Sequence, residues 1–342
     1  MDALSAALSS VRMTGAIFFH AECTAPWGFS VPSLKRVAHV LAPGTERLVN
    51  YHLLTEGQAI VRMEGAVDLP LVAGDIVILP HGDAHTVADG TPQAWVDSAA
   101  SLGNFLAGDL GTMRVGGGGA PTRFVCGYFG CERQADRLFL AGLPPIVKLN
   151  VRGDASGEWL ENSIRHLVSE AQSERAGQTI LLSKMAEALF IETLRRYMEQ
   201  LPPGQTGWLA GARDPVVGGS LALLHRNPLH PWTVAELAEA VGASRSVVNE
   251  RFAKFLGEPP LAYLARWRMQ LAAGLLKTTG KRIVQVAGEV GYESEAAFNR
   301  AFKREFGLPP GQYRRQAAGM ETAASPATPD AVNGAQAKHR KI

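Results

Sequence analysis

Two stretches in the last third of the chain carry polar side chains at a spacing suited to reading a nucleic-acid groove. Ser246, Asn249 and Glu250 share one face of an expected helix, and Ala296, Asn299, Arg300 and Lys303 share one face of another. An Asn amide matches the major-groove edge of adenine, an Arg fork matches guanine, and a carboxylate can accept from cytosine N4. This is recognition chemistry rather than bond-making chemistry. A second candidate set lies far upstream. His52 and His85, with Cys126 and Cys131, offer imidazole and thiolate donors of the kind that hold zinc. Trp27 is a candidate lining residue for a pocket beside the two histidines.

The polar faces need helices to present them, and the sequence supplies a duplicated plan. TVAELAEAVGASRSVVNERFAKFLGEPP, Thr233 to Pro260, is echoed by RIVQVAGEVGYESEAAFNRAFKREFGLPP, Arg282 to Pro310. Val241-Gly242 matches Val290-Gly291, an offset of 49, and Gly257, Pro259 and Pro260 match Gly307, Pro309 and Pro310, an offset of 50. In the first copy Thr233 and Glu236 have capping-box spacing, and Trp232 is placed to staple onto Leu237. Gly242 can take positive φ and stop that helix. Ser244 caps the next, whose Val248, Phe252 and Phe255 fall on one inner face. The second copy repeats this with Val286, Ala287 and Val290, then Gly291, Ser294, and inward Phe298, Phe302 and Phe306. Each copy reads as a helix-turn-helix, whose second helix can enter the major groove. A plain helical bundle with polar outer faces is the competing reading, but a matched pair joined by a helix from Leu261 to Lys277 is much harder to reach by chance.

Here the chain closely resembles the C-terminal domain of the AraC/XylS family of transcription regulators. The resemblance spans roughly Asp214 to Arg315 and includes YLARWRMQLAAGLL and the closing GLPPGQYRR. It implies two recognition helices on successive major-groove segments, with base-reading positions at Ser246, Asn249 and Glu250 and at Ala296, Asn299 and Arg300. Glu250 departs from the basic residue often found there. A carboxylate repels phosphates, so the second unit is expected to hold DNA more strongly.

Charge agrees with that assignment. Residues 215–318 hold 14 Lys and Arg against 8 Asp and Glu, whereas residues 1–214 hold 17 against 22. The basic excess sits on the part expected to meet phosphates. Three cysteines, an odd number without framework spacing, favour a reducing compartment. No signal-peptide pattern and no apolar run approaching the ~20 residues of a membrane helix is apparent, so the expectation is a cytoplasmic protein without a membrane partner.

Upstream, residues 1–155 read as a β domain punctuated by Gly, Pro and Asp, with strands expected at Gly15–Phe19, Leu34–Leu41, Leu48–Thr55, Gln58–Met63, Asp75–Leu79 and Thr122–Tyr128. GDIVILPHGDAH places Gly74, Pro80, Gly82 and His85 in the order of the second motif of the cupin fold, a small β-barrel with an internal pocket. APWGFSVP and VCGYFGCERQADRLFLAGLPPIV are similar to the cupin-type sensory domain of one AraC subgroup. The resemblance implies a small-molecule effector in the barrel, with His52, His85 and Trp27 as ligand-binding candidates. The first cupin motif normally supplies two histidines and a glutamate. Here NYHLLTEG offers His52 and Glu56 alone, which counts against the alternative of a metal-dependent cupin enzyme fused to a DNA-binding domain. The expectation is therefore no enzyme. Zinc on His52, His85, Cys126 and Cys131 stands beside a simpler reading, hydrogen-bonded pocket histidines and buried cysteines. The four glycines Gly116–Gly119 lack a following Lys-Ser/Thr and read as a hairpin loop.

Residues 156–201 switch to helical periodicity. Trp159, Ile164, Leu167 and Val168 mark one helix, and Leu181, Leu182, Met185, Leu189, Ile191 and Leu194 mark a second. The family resemblance implies that these helices contact a second copy in a homodimer; covering the barrel is the other reading. Residues 202–213 read as a linker, 214–318 as the DNA-binding domain and 319–342 as a disordered tail. The whole is an α+β chain: a barrel, helices, then an all-α tandem unit. The expected partners are promoter DNA, an effector, a second copy and, for an activator, RNA polymerase.

Overall fold

Strand β3 (Arg47–Glu56) is buried from Leu48 to Leu54, on both of its faces. An uninterrupted buried run of this kind requires cover on each side of a sheet, and the computed structural model shows what supplies it. It describes residues 2–8, 13–36, 38–41, 45, 47–90, 92, 95–98, 112–131, 143–171 and 175–323. Strands β1 (Met13–Thr24), β2 (Gly28–Val31), β4 (Gln58–Arg62), β5 (Leu69–Val72), β6 (Asp75–Leu79), β7 (His85–Ala88), β8 (Val96–Asp97), β9 (Met113–Gly116), β10 (Pro121–Cys131) and β11 (Val147–Asn150) complete the domain. They form one sheet ordered β11-β6-β3-β10-β1-β9 and another ordered β5-β4-β7-β2-β8. Between the sheets lies an apolar core that includes Trp27, Phe29, Leu54, Val77, Phe124 and Cys126. The alternate residues of β3 and β10, Val49, Tyr51, Leu53, Val125 and Phe129, face the other way and join a second core.

That second core is closed by α3 (Ala155–Ala171) and α4 (Gln178–Gln200), joined through a turn in which Gly177 takes φ 83°. Leu160, Ile164, Leu167, Val168, Leu189, Phe190 and Leu194 are buried against the sheet. A short N-terminal helix, α1 (Ala3–Leu8), adds Ala3, Leu4, Ala7 and Leu8 to the same core.

Three sequence expectations need correction. Leu34–Leu41 is not a strand: it forms a single 3-10 turn, Leu34–Arg36, and a short helix α2 (Ala38–Leu41), whose Leu34, Ala38 and Leu41 pack on Leu48 and Tyr128. The stretch read as a linker contains a helix, α5 (Trp208–Arg213), because Trp208 and Leu209 bury themselves in the shared core. The tail expected to be disordered from 319 begins inside a helix that runs to Ala323; its remainder lies outside the described residues.

The C-terminal part is helical throughout: α6 (Pro215–Arg226), α7 (Val234–Ala240), α8 (Arg245–Leu256), α9 (Pro260–Thr278), α10 (Ile283–Glu289), α11 (Glu295–Phe306) and α12 (Pro310–Ala323). Helix α9 gives Tyr263, Leu264 and Trp267 to the first unit and Met269, Ala272, Ala273 and Leu276 to the second. The second unit has a core of its own, closed by Phe298, Phe302, Phe306 and Tyr313. Burial of each such ring contributes about 1.5–3 kcal/mol. The first unit has no separate core: its Leu237, Val248 and Phe252 are continuous with the core of the N-terminal domain. Among the described residues no helix is long and apolar enough to cross a membrane.

Candidate nucleic-acid interface

Both recognition helices are started and stopped by local chemistry. Thr233 accepts from the Glu236 backbone N–H while the Glu236 carboxylate accepts from the Thr233 N–H, which closes a capping box on α7. Ser244 accepts from the Val247 N–H to open α8, and Ser294 accepts from the Ala297 N–H to open α11. Gly257 and Gly307 end them in left-handed conformation, with φ 72° and 76°. One side of each helix is then fixed inward, by Val248 and Phe252 and by Phe298, Phe302 and Phe306.

The opposite sides face solvent. Ser246, Asn249 and Glu250 are exposed on α8, as are Ala296, Arg300 and Lys303 on α11; Asn299 is half-buried. Arg245 and Arg304 are exposed basic residues on the same helices that the sequence reading did not single out. The signal was available, since Arg245 occupies the first turn and Arg304 follows Lys303. Arg251 is different: its guanidinium reaches the Asp214 carboxylate at 2.5 Å, so it holds α8 to the start of α6.

The upstream candidates take a different form. His85 Nδ1 lies 3.0 Å from the Asp83 carbonyl oxygen, which can only accept, so Nδ1 carries the proton and Nε2 is bare. His52 Nε2, 2.8 Å away, must therefore donate to His85 Nε2. That leaves His52 Nδ1 to accept from the Cys126 thiol at 2.9 Å. Burial pushes the His52 imidazole well below its ordinary value, His85 down to about 4, and the Cys126 thiol well up, all of which favour this neutral chain. The arrangement does not fit the expected zinc set. Cys126 sits at the opposite ring nitrogen of His52 from His85, so the three donors do not converge. Cys131 pairs with Arg47, five positions along the strand from the Cys126–His52 pair, roughly 16 Å away at ~3.3 Å per residue. The described residues hold no group of three or more His, Cys, Asp or Glu able to hold a metal ion.

Trp27 is core: it is 1% exposed and its ring lies 5.9 Å from Phe29 and 5.7 Å from Phe124. The cavity beside His52 measures about 30 Å³ and is bordered by Asn50, Cys126 and Tyr128. At roughly 10–15 Å³ per water, that is space for two or so. Asn50 Oδ1 and the Tyr128 hydroxyl, both buried without a protein partner, suit such waters.

Comparison with known proteins fits the two halves. The family described as Cupin matches residues 2–199, and the Helix-turn-helix domain family matches residues 237–316. An AraC-like transcription regulator of Streptomyces antibioticus is 33% identical over 270 residues, covering 79% of this chain and 88% of its own. The chain belongs to the AraC family of transcription regulators. The AraC-family regulator AlkR of Acinetobacter baylyi is 30% identical over 323 residues, 92% of this chain and all of its own. A solved AraC-type regulator from Chromobacterium violaceum is 30% identical over 32% of this chain and 96% of its own, with a TM-score of 0.31. The exposed faces of α8 and α11 thus belong to an AraC-type DNA-binding domain.

Proposed function

We propose that this AraC-family regulator reads promoter DNA with α8 and α11 in adjacent major-groove segments, and that a small molecule acting through the N-terminal domain controls the reading. The observation that carries this is the duplicated, separately capped pair of helices with polar outer faces, Ser246, Asn249 and Glu250 on one and Ala296, Asn299, Arg300 and Lys303 on the other. The shared core between the first unit and the N-terminal domain supports the control, because two conformations of that core can differ in affinity for an effector. Trp159, Ile180 and Leu181, exposed on α3 and α4, are the face proposed for a second copy in a homodimer.

Selection of binding sites from random duplexes tests the reading. Two short preferred segments about one helical turn, ~10 bp, apart are expected. A single segment, or no sequence preference, would refute it.

A further inference from the structure

The barrel is nearly filled, yet the molecule has a ligand-sized space elsewhere. A cleft of about 730 Å³ lies where α1, α4 and α5 meet, at the seam between the N-terminal domain and the first DNA-reading unit. Pockets for small organic ligands span roughly 300–1,000 Å³. Leu4 and Leu8 from α1, Ile191 and Met198 from α4, and Ala212 and Arg213 from α5 line it.

Its charges select a ligand class. Both carboxylate oxygens of Asp2 are taken by Ser5, through the backbone N–H and the hydroxyl. Glu187 pairs with Lys184 and Arg195 with Glu192, each at 3.1 Å, and Glu199 is drawn to Arg196. Arg213 alone among these lining charges has no acidic partner among the described residues. Its guanidinium donates to the carbonyl oxygens of Met198 and Leu201 at 2.5 and 3.4 Å, which leaves its charge uncompensated beside apolar walls.

The cleft also adjoins the first recognition helix. Arg213 is followed directly by Asp214, which holds Arg251 of α8. At the other end of α5 the Gly207 N–H donates to the Phe255 carbonyl at 2.8 Å. A side chain on Gly211 would meet Phe255 and Leu256 at 3.2 and 3.4 Å, so α5 and α8 move together. The second unit, with its separate core, has no such link.

We propose that this seam cleft is the effector site, and that it takes an amphipathic monoanion: a carboxylate on Arg213 and an apolar body against Leu4, Leu8, Ile191 and Met198. Occupancy tilts α5 and with it α8, changing how the first unit meets DNA relative to the second. The inference rests on the regulator reading above and names its ligand class and location.

Decanoate is the probe and decylamine its charge-reversed control, titrated into the full chain by calorimetry, with DNA affinity measured in parallel. Saturable one-to-one binding of decanoate and none of decylamine is expected. Arg213→Gln should weaken it about tenfold or more, the cost of one charge-assisted hydrogen bond. Arg213→Lys should retain most of it, and Ile191→Trp should abolish it by filling the cleft. Decanoate should shift DNA affinity by about fivefold or more in the wild type and not in Ile191→Trp, whose ligand-free DNA affinity stays unchanged. No saturable binding, equal binding of decylamine, indifference to Arg213→Gln, or binding without a change in DNA affinity would each overturn the proposal. Failure of the regulator reading shows separately, as a wild-type protein that binds decanoate but no duplex.

Discussion

Arg251, on the first recognition helix, donates to Asp214 at 2.5 Å, and the same Asp214 carboxylate accepts from the Val216 and Val217 backbone N–H groups, each at 3.0 Å, to cap α6. One buried carboxylate therefore starts one helix and fixes the placement of another. Asp214→Ala removes both functions and should cost about 2 kcal/mol, most of it the cap, because Arg251 is half exposed. Asp214→Asn keeps the cap and should cost about 0.5–1 kcal/mol. Urea melts of the two variants check the order; equal losses would show that the cap is not the larger contribution.

His225 makes stability depend on pH. It stacks on Trp267 at 4.2 Å and shares a hydrogen bond with the Tyr263 hydroxyl, which also accepts from Trp208. Burial holds its imidazole down to about 4, with the backbone of Ala3 opposing. The unfolded chain, with a value of about 6.5, takes up the proton first as pH falls. Stability from neutral His225 is therefore complete above pH ~6.5 and is lost progressively toward pH ~4. His225→Phe should reduce the acid loss between about pH 7 and pH 4 by up to about 3 kcal/mol. Denaturant melts across that range give the slope; an unchanged slope would contradict the assignment.

Buried thiols should be unreactive. Burial raises the Cys23 thiol to about 12 and pushes Cys126 well up, and each is 1% exposed. Since the thiolate is the reactive form, iodoacetamide at neutral pH should leave both unlabelled in the folded protein and label both in denaturant. Peptide mapping reads each cysteine separately. Rapid labelling of folded Cys126 would contradict the neutral Cys126–His52–His85 chain.

Much of the reading architecture was legible in the sequence because it is local. Thr233 with Glu236, Ser244, Ser294, Gly257 and Gly307 act within a few residues of where they stand, and the inward Phe298, Phe302 and Phe306 repeat at helical spacing. The short edge strands β2, β5, β8 and β9 were missed, since two to four residues carry no usable alternation. Leu34–Leu41 misled because an apolar run of that length fits a strand or a helical turn equally well, and its packing on Leu48 and Tyr128 decides. Cys131 was grouped with Cys126 by sequence proximity, but strand register separates them. The seam cleft was illegible: Arg213 and Leu4 are 209 positions apart, and only the tertiary fold brings them together.

The central claim is that α8 and α11 read two neighbouring segments of one duplex. Base-by-base interference footprinting of the wild type, Asn249→Ala and Arg300→Ala on a selected site tests it most directly. Two segments about one helical turn apart are expected, with Asn249→Ala relaxing preference in one and Arg300→Ala, at a cost of about 1–3 kcal/mol, relaxing it in the other. Both substitutions eroding the same base pairs, or neither changing the footprint, would contradict the account.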